Sequence, residues 1–275
     1  MKVFSCNPHL TGQAQMIPEI FYSTATGENL KAAILKPLDP ELKKKPAILF
    51  VQGSGWSTPN IYSKIPQLSL FAQAGYLVMT IVHRDRNYGH PFPAFLQDVK
   101  CAVRYLRANA EKYGIDEEKI AVFGTSSGGN VSLLAGMTGD DPRYKTAEYA
   151  GFSDGVQAVA ECFGPTCMEK MDIIKRAGRE MAMQMCGERD MMEVMKEMSP
   201  CCILDEKKDY PPMLLLYGTA DPIVPHQQGE EFHQMMQAAG KDTELVRVEN
   251  AEHEGNFWSR EVYEYILAWL DQKLK

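Results

Sequence analysis

Ala121-Val122-Phe123-Gly124-Thr125-Ser126-Ser127-Gly128-Gly129-Asn130 reads as a buried strand that passes through Gly-x-Ser-x-Gly into a helix. Ile120 to Phe123 is a short apolar run of strand type, and Asn130 to Met137 continues in small and apolar residues at helical spacing. Between them the chain must turn sharply. The glycines flanking Ser126 leave room for the neighbouring strand and helix, which a side chain would obstruct. A serine on such a turn carries its hydroxyl outward at the top of a sheet.

Two partners for that hydroxyl follow in the C-terminal part of the chain. Asp221 comes after the apolar run Met213-Leu214-Leu215-Leu216-Tyr217, in Gly218-Thr219-Ala220-Asp221-Pro222. His253 comes after Leu245-Val246-Arg247-Val248, in Asn250-Ala251-Glu252-His253-Glu254-Gly255. Residues at the carboxyl end of a parallel strand face the crevice above the sheet. A serine hydroxyl is a poor nucleophile at neutral pH. A neutral imidazole that takes its proton, held in one tautomer by a carboxylate, makes it a competent one. Ser126, Asp221 and His253 are therefore the candidate catalytic residues. Glu249 and Glu252 are read as solvated flanks of the histidine loop.

Attack on a carbonyl creates an oxyanion, which fixed N–H donors must meet. One donor is the amide of Ser127, directly after the nucleophile. The others are sought after the early strand Ala47-Ile48-Leu49-Phe50-Val51, in Gln52-Gly53-Ser54-Gly55-Trp56. This loop resembles the His-Gly-Gly-Gly loop of esterases and lipases, with Gln52 in place of the histidine and Ser54 in place of the middle glycine. The resemblance implies donor amides at Ser54 and Gly55, and Gln52 retains a side-chain donor to hold the loop.

On these motifs the chain resembles the α/β-hydrolases of the esterase/lipase branch. It is similar to hormone-sensitive-lipase-like esterases and to bacterial acetylxylan- and feruloyl-esterase-like enzymes. His90-Pro91-Phe92-Pro93-Ala94 resembles the segment opening the helix before the nucleophile strand, and Asp98-Val99 with Ala102-Val103-Arg104-Tyr105-Leu106 resembles that helix. Tyr113-Gly114-Ile115-Asp116 resembles its exit, and Phe163-Gly164-Pro165-Thr166 the end of the next strand. The resemblance runs from about residue 28 to the C-terminus. It implies a serine carboxylesterase acting on short-chain acyl esters, including acetylated or feruloylated sugars, with no cofactor and no metal.

The alternation of elements agrees. A hairpin of Glu19–Tyr22 and Leu30–Leu35, joined through Thr26-Gly27-Glu28-Asn29, follows a polar lead-in to about Gln15. Strands at Ala47–Val51, Tyr76–Val82, Ile120–Phe123, Val156–Phe163, Met213–Tyr217 and Glu244–Val248 then alternate with helices near Ile61–Gln73, Pro93–Lys112, Asn130–Met137, His226–Ala239 and Ser259–Lys273. This predicts one α/β domain over residues 1–275, a mostly parallel central sheet with helices on both faces. Residues 167–210 break the rhythm and are rich in methionine. They are predicted to form a small lid or cap insertion, with flexible thioether side chains walling an apolar pocket. Trp56, Trp258 and Met168 are the candidate substrate-binding residues.

Composition limits the alternatives. The net charge of −7 and the lack of a basic cluster exclude a nucleic-acid partner, and no apolar run reaches membrane-spanning length. The start Met1-Lys2-Val3-Phe4-Ser5 lacks the apolar core of a signal peptide, and seven cysteines show no disulfide-framework spacing. Both observations point to a cytoplasmic protein. His9, His83, His90, His226 and His233 offer no ligand pair on one element, so no metal site is expected. Arg84 and Asp85 are read as a surface ion pair in preference to substrate contacts. Two rivals stay open at this point: a serine peptidase of the prolyl-oligopeptidase type, and a binding protein on a catalytically dead hydrolase scaffold. The oligomeric state is not legible.

Overall fold

The computed structural model describes residues 1–24, 27–171 and 173–275. Its centre is a sheet of eight strands: β1 (Ala14–Ser23), β2 (Leu30–Pro37), β3 (Lys45–Val51), β4 (Leu77–Ile81), β5 (Ile115–Thr125), β6 (Ala158–Cys162), β7 (Met213–Gly218) and β8 (Thr243–Val248). They lie in the order β1-β2-β4-β3-β5-β6-β7-β8. β1 and β2 pair antiparallel, as does β2 with β4, and every later pairing is parallel.

Every residue of β3, β4, β6 and β7 is buried. Successive side chains of a strand point to opposite faces, so this pattern requires a cover on both faces of the sheet. The cover comes from α1 (Ile65–Gln73), α2 (Ala94–Ala108), the single turn α3 (Ala110–Tyr113), α4 (Ser127–Met137), α8 (Gln227–Ala238) and α9 (Arg260–Leu274). Between β6 and β7 the chain adds α5 (Ile173–Cys186), α6 (Met191–Glu197) and α7 (Pro200–Ile203), the methionine-rich stretch noted above.

The boundaries differ from the sequence reading where local chemistry intervenes. β1 starts at Ala14, so the edge hairpin is longer at its outer end. Thr26 of its turn lies outside the described residues. α1 begins only at Ile65, because residues 61–64 form a turn ahead of Pro66. The expected helix Pro93–Lys112 is two helices. Asn109 leaves helical geometry (φ −111°, ψ 19°) and its side-chain amide donates to Tyr105 O at 2.9 Å, closing α2 before α3 begins.

α2 buries its apolar residues against the sheet, and Lys100 and Arg104 on it are buried as well. Both pair with Asp154, at 2.6 and 2.8 Å, so the loop at 153–154 covers what periodicity would assign to solvent. Arg84 likewise pairs with the buried Asp98 of α2 at 2.9 Å, and Asp85 accepts from Thr58 N–H at 2.7 Å. Both residues hold the chain after β4 in place, and the Arg84 pair is internal rather than on the surface. Among the described residues no helix is long and apolar enough to cross a membrane.

Candidate active site

The carboxyl ends of β3, β5, β6, β7 and β8 converge on one crevice, as the parallel register demands. At its centre, Gly124 of β5 lies between Val51 of β3 and Glu161 of β6. The next residues turn into α4. Ser126 takes φ 53° and ψ −125°, a conformation that costs a non-glycine residue of order 1–3 kcal/mol. It is held there by its N–H donating to Cys162 O at 2.9 Å and by Asn130 N–H donating to Ser126 O at 3.0 Å. The following helix enters so close to β3 that a Cβ on Gly128 would sit 2.1 Å from Val51 O. No residue but glycine fits there.

His253 reaches Ser126 from three strands away. β8 and β5 are separated by β6 and β7, about 14 Å at the usual strand spacing, so the loop after β8 must run back over the sheet. The ring lands on Phe163, with centroids 4.6 Å apart. His253 Nδ1 is 2.7 Å from Asp221 Oδ2, and Nε2 is 2.9 Å from Ser126 Oγ. The carboxylate can only accept, so Nδ1 carries the proton and Nε2 is left to accept from the serine hydroxyl. Asp221 Oδ1 accepts from Ile223 N–H at 2.7 Å and Val224 N–H at 2.9 Å, which fixes the carboxylate in the turn after β7. Trp56, Ser126, Phe163, Asn250 and Glu254 all have positive φ, so several strained backbone positions lie in the loops around this crevice.

The loop after β3 lies against the serine. A Cβ on Gly53 would be 2.7 Å from Ser126 Cβ. Gln52 accepts from Ser63 Oγ at 3.3 Å and its Nε2 points to Gly53 O at 3.4 Å, so this side chain does tether the loop. The three sequence-predicted donor amides do not behave alike. Ser54 N–H donates to Ser127 Oγ at 2.9 Å and is therefore occupied. The amides of Gly55 and Ser127 have no acceptor among the described residues. The side chain added at position 127 takes up the donor that the resemblance assigned to position 54.

Beside Ser126 opens a cavity of about 450 Å³, within the range of small-molecule sites. Gly55, Trp56, Ser126, Ser127, Pro165, Met171, Met181, Pro222, Ile223 and Val224 line it, with no ionisable side chain among them. Two methionines of the insertion thus form wall, but Met168 does not. It is 2% exposed and packed in the core, with its N–H on Ser199 Oγ at 2.8 Å, one of the positions that fasten the insertion to the body. Trp258 is also outside the cavity lining. It stacks on Tyr263 at 4.7 Å and donates Nε1–H to Glu254 at 2.7 Å, because the turn at Gly255–Phe257 carries it away from His253. Pro165, Ile223 and Val224 were missed, although the loops directly after β6 and Asp221 are where wall residues belong.

Beneath the turn at Ser126, Glu161 of β6 is fully buried. Burial pushes its carboxyl up to about 8, against the smaller opposing pull of the nearby Tyr217 hydroxyl and of Gly164 N–H, which donates at 2.7 Å. Its Oε1 has no partner among the described residues. The carboxyl is thus neutral at neutral pH. Among the described residues no cluster of side chains is arranged to hold a metal ion.

Comparison with known proteins agrees with this geometry. The BD-FAE family profile matches residues 34–236. Esterase LipC of Mycobacterium tuberculosis (strain ATCC 25618 / H37Rv) is 31% identical over 209 residues, 74% of this chain and 51% of that protein. The chain spans about half the length of the curated relatives that it matches. Among solved structures, a truncated carbohydrate esterase from gut microbiota superimposes with a TM-score of 0.80 at 26% identity, covering 96% of this chain and 97% of that one. The propionate-bound esterase Est2 of Thermogutta terrifontis gives a TM-score of 0.76 at 26% identity, covering 96% and 94%. The chain belongs to the BD-FAE family and has the α/β-hydrolase fold.

Proposed function

We propose that the protein is a serine carboxylesterase that hydrolyses short-chain acyl esters through an acyl-enzyme on Ser126. The observation that carries this reading is the unbroken hydrogen-bond chain from Ser126 Oγ through His253 to Asp221, at the mouth of an apolar cavity. His253 Nε2 takes the hydroxyl proton as Ser126 Oγ bonds to the carbonyl carbon. The tetrahedral oxyanion is met by the amides of Gly55 and Ser127. His253 then returns the proton to the departing alcohol, and the acyl group stays on Ser126. A water, deprotonated by the same imidazole, releases the acid and restores the serine. Each oxyanion donor is worth about 3–4 kcal/mol in the transition state, so two free amides supply a large share of the barrier reduction.

The apolar wall suits the acyl group, and the alcohol is left to the open side of the crevice. The propionate held by the Thermogutta esterase supports a short acyl chain, and the carbohydrate esterase supports a sugar as the alcohol, as in acetylated or feruloylated sugars. The insertion 167–210 then acts as a lid, with Met171 and Met181 setting the length of acyl chain accepted. Seven free thiols, none of them paired, support a cytoplasmic setting.

The test is hydrolysis of p-nitrophenyl acetate, butyrate and octanoate, with peptide anilides alongside, by the wild type and by Ser126→Ala. The reading expects ester turnover, highest on the shorter chains and lost in the variant, with anilides untouched. Turnover of the anilides would move the protein to the peptidases, and an inert wild type on both panels would favour a binding role.

A further inference from the structure

Arg86 belongs to no catalytic motif, yet it ties the oxyanion loop to the insertion. It opens the short turn Arg86–Tyr88 after β4, fixed by Asp85, whose carboxylate accepts from Asn87 N–H at 2.7 Å and from Thr58 N–H and Oγ1–H at 2.7 and 2.6 Å. From there its backbone N–H donates to Trp56 O at 3.2 Å, and its guanidinium Nε–H donates to Gly55 O at 2.8 Å. The same guanidinium donates through Nη1 to Gln184 Oε1 of α5. α5 is anchored nearby, with Phe92 N–H donating to Met185 O at 2.9 Å, and Met181 of α5 stands 3.5 Å from where a Cβ on Gly55 would be.

Carbonyl and amide point in opposite directions across a trans peptide. Ser54 O is held by Ser57, from N–H at 3.2 Å and Oγ–H at 2.5 Å, and Gly55 O and Trp56 O are held by Arg86. Ser54 O, held by Ser57, sets the direction of the Gly55 amide, and Arg86 holds the two peptides that follow, so it fixes the Ser57 amide that closes this turn. Trp56 has φ 59°, a conformation that costs a non-glycine residue and that these bonds help to hold. A break in α5 at Gly178, where φ is 86° and ψ 159°, separates Met181 and Gln184 from the first part of the helix.

Resting on the esterase reading, we infer that Arg86 is a positioning residue that couples the seating of α5 to the aim of the Gly55 amide. An acyl chain that displaces Met181 then disturbs Gln184, Arg86 and the oxyanion donor in turn. Acyl-length selectivity is thereby written into kcat as well as KM.

The experiment has two arms. Hydrogen exchange of residues 54–57 is compared in wild type, Gln184→Ala and Arg86→Ala. Steady-state kinetics on p-nitrophenyl acetate and octanoate are measured for Arg86→Ala, Arg86→Lys and Gln184→Ala, with and without added methylguanidinium. Coupling predicts faster exchange at 54–57 in both alanine variants, although Gln184 makes no hydrogen bond to that loop among the described residues. It also predicts a fall in kcat on the order of tenfold to a hundredfold for Arg86→Ala with KM little changed, partly rescued by methylguanidinium and not by lysine. Unchanged exchange at 54–57 in Gln184→Ala, or a loss confined to KM, would overturn it. A wild type without ester turnover would defeat the esterase reading, while the exchange arm would still decide the coupling.

Discussion

Replacing Glu161 by glutamine should stabilise the protein, and should do so more strongly as pH rises. The unfolded chain releases the Glu161 proton near the ordinary value of 4.5, whereas the folded protein keeps it until about 8. Between those values the unfolded state binds fewer protons, so wild-type stability falls with increasing pH, by about 1.4 kcal/mol per unit. The deficit is nearly absent at pH 4, reaches roughly 3 kcal/mol at pH 7 and levels off at roughly 5 kcal/mol above pH 8. Glutamine has the same shape, keeps a carbonyl acceptor for Gly164 N–H, and does not titrate. It leaves one buried polar group as poorly served as Oε1 is in the wild type, so the two proteins differ mainly in slope. Urea unfolding from pH 5 to pH 8 measures this directly. The stability gap between Glu161→Gln and wild type should widen in favour of glutamine by about 3 kcal/mol over that range. A gap that stays flat would mean that Glu161 ionises as it does in water, and the argument from burial would be wrong.

Other consequences are simpler to state. Asp221→Asn should leave the fold intact but lower kcat on p-nitrophenyl acetate by about 10⁴-fold, since the amide cannot hold Nδ1–H of His253 in the required tautomer. Met181→Trp should narrow the cavity and lower kcat/KM for octanoate far more than for acetate, which parallel kinetics on the two esters will reveal. Gly128→Ala should fail to give folded protein by circular dichroism, because its Cβ would lie 2.1 Å from the Val51 carbonyl oxygen.

Much of this was legible in the residues themselves. The strands around the crevice contain short apolar runs with both faces covered, so β3, β7 and the Ile120–Phe123 part of β5 declare themselves, while the charged start of β5 does not. Ser126, Asp221 and His253 each stand just beyond such a run, and parallel register alone brings strand ends together. What was illegible depends on contacts between segments distant in sequence. No pattern in α2 announces that Lys100 and Arg104 will be enclosed by Asp154, about fifty residues on. The methionines of the insertion are alike as letters, and only packing separates Met171 and Met181 on the cavity from Met168 in the core. Trp258 stands near His253 in sequence, but the intervening turn sends it to Tyr263. Ser54 shows the limit of position matching. Its amide is spent on Ser127 Oγ, a bond made possible by a side chain that the matching ignored. Arg86 and Glu161 carried no signal, because one acts through backbone carbonyls and the other through its burial.

The central claim is that Ser126 Oγ carries the acyl group. Rapid acid quench of the protein during turnover of p-nitrophenyl acetate, followed by mass spectrometry of its peptides, tests this most directly. The account predicts one acetyl group on the peptide containing Ser126, absent from Ser126→Ala and accumulating further in variants that slow deacylation. An acetyl group on another residue, or steady turnover that persists in Ser126→Ala, would contradict it.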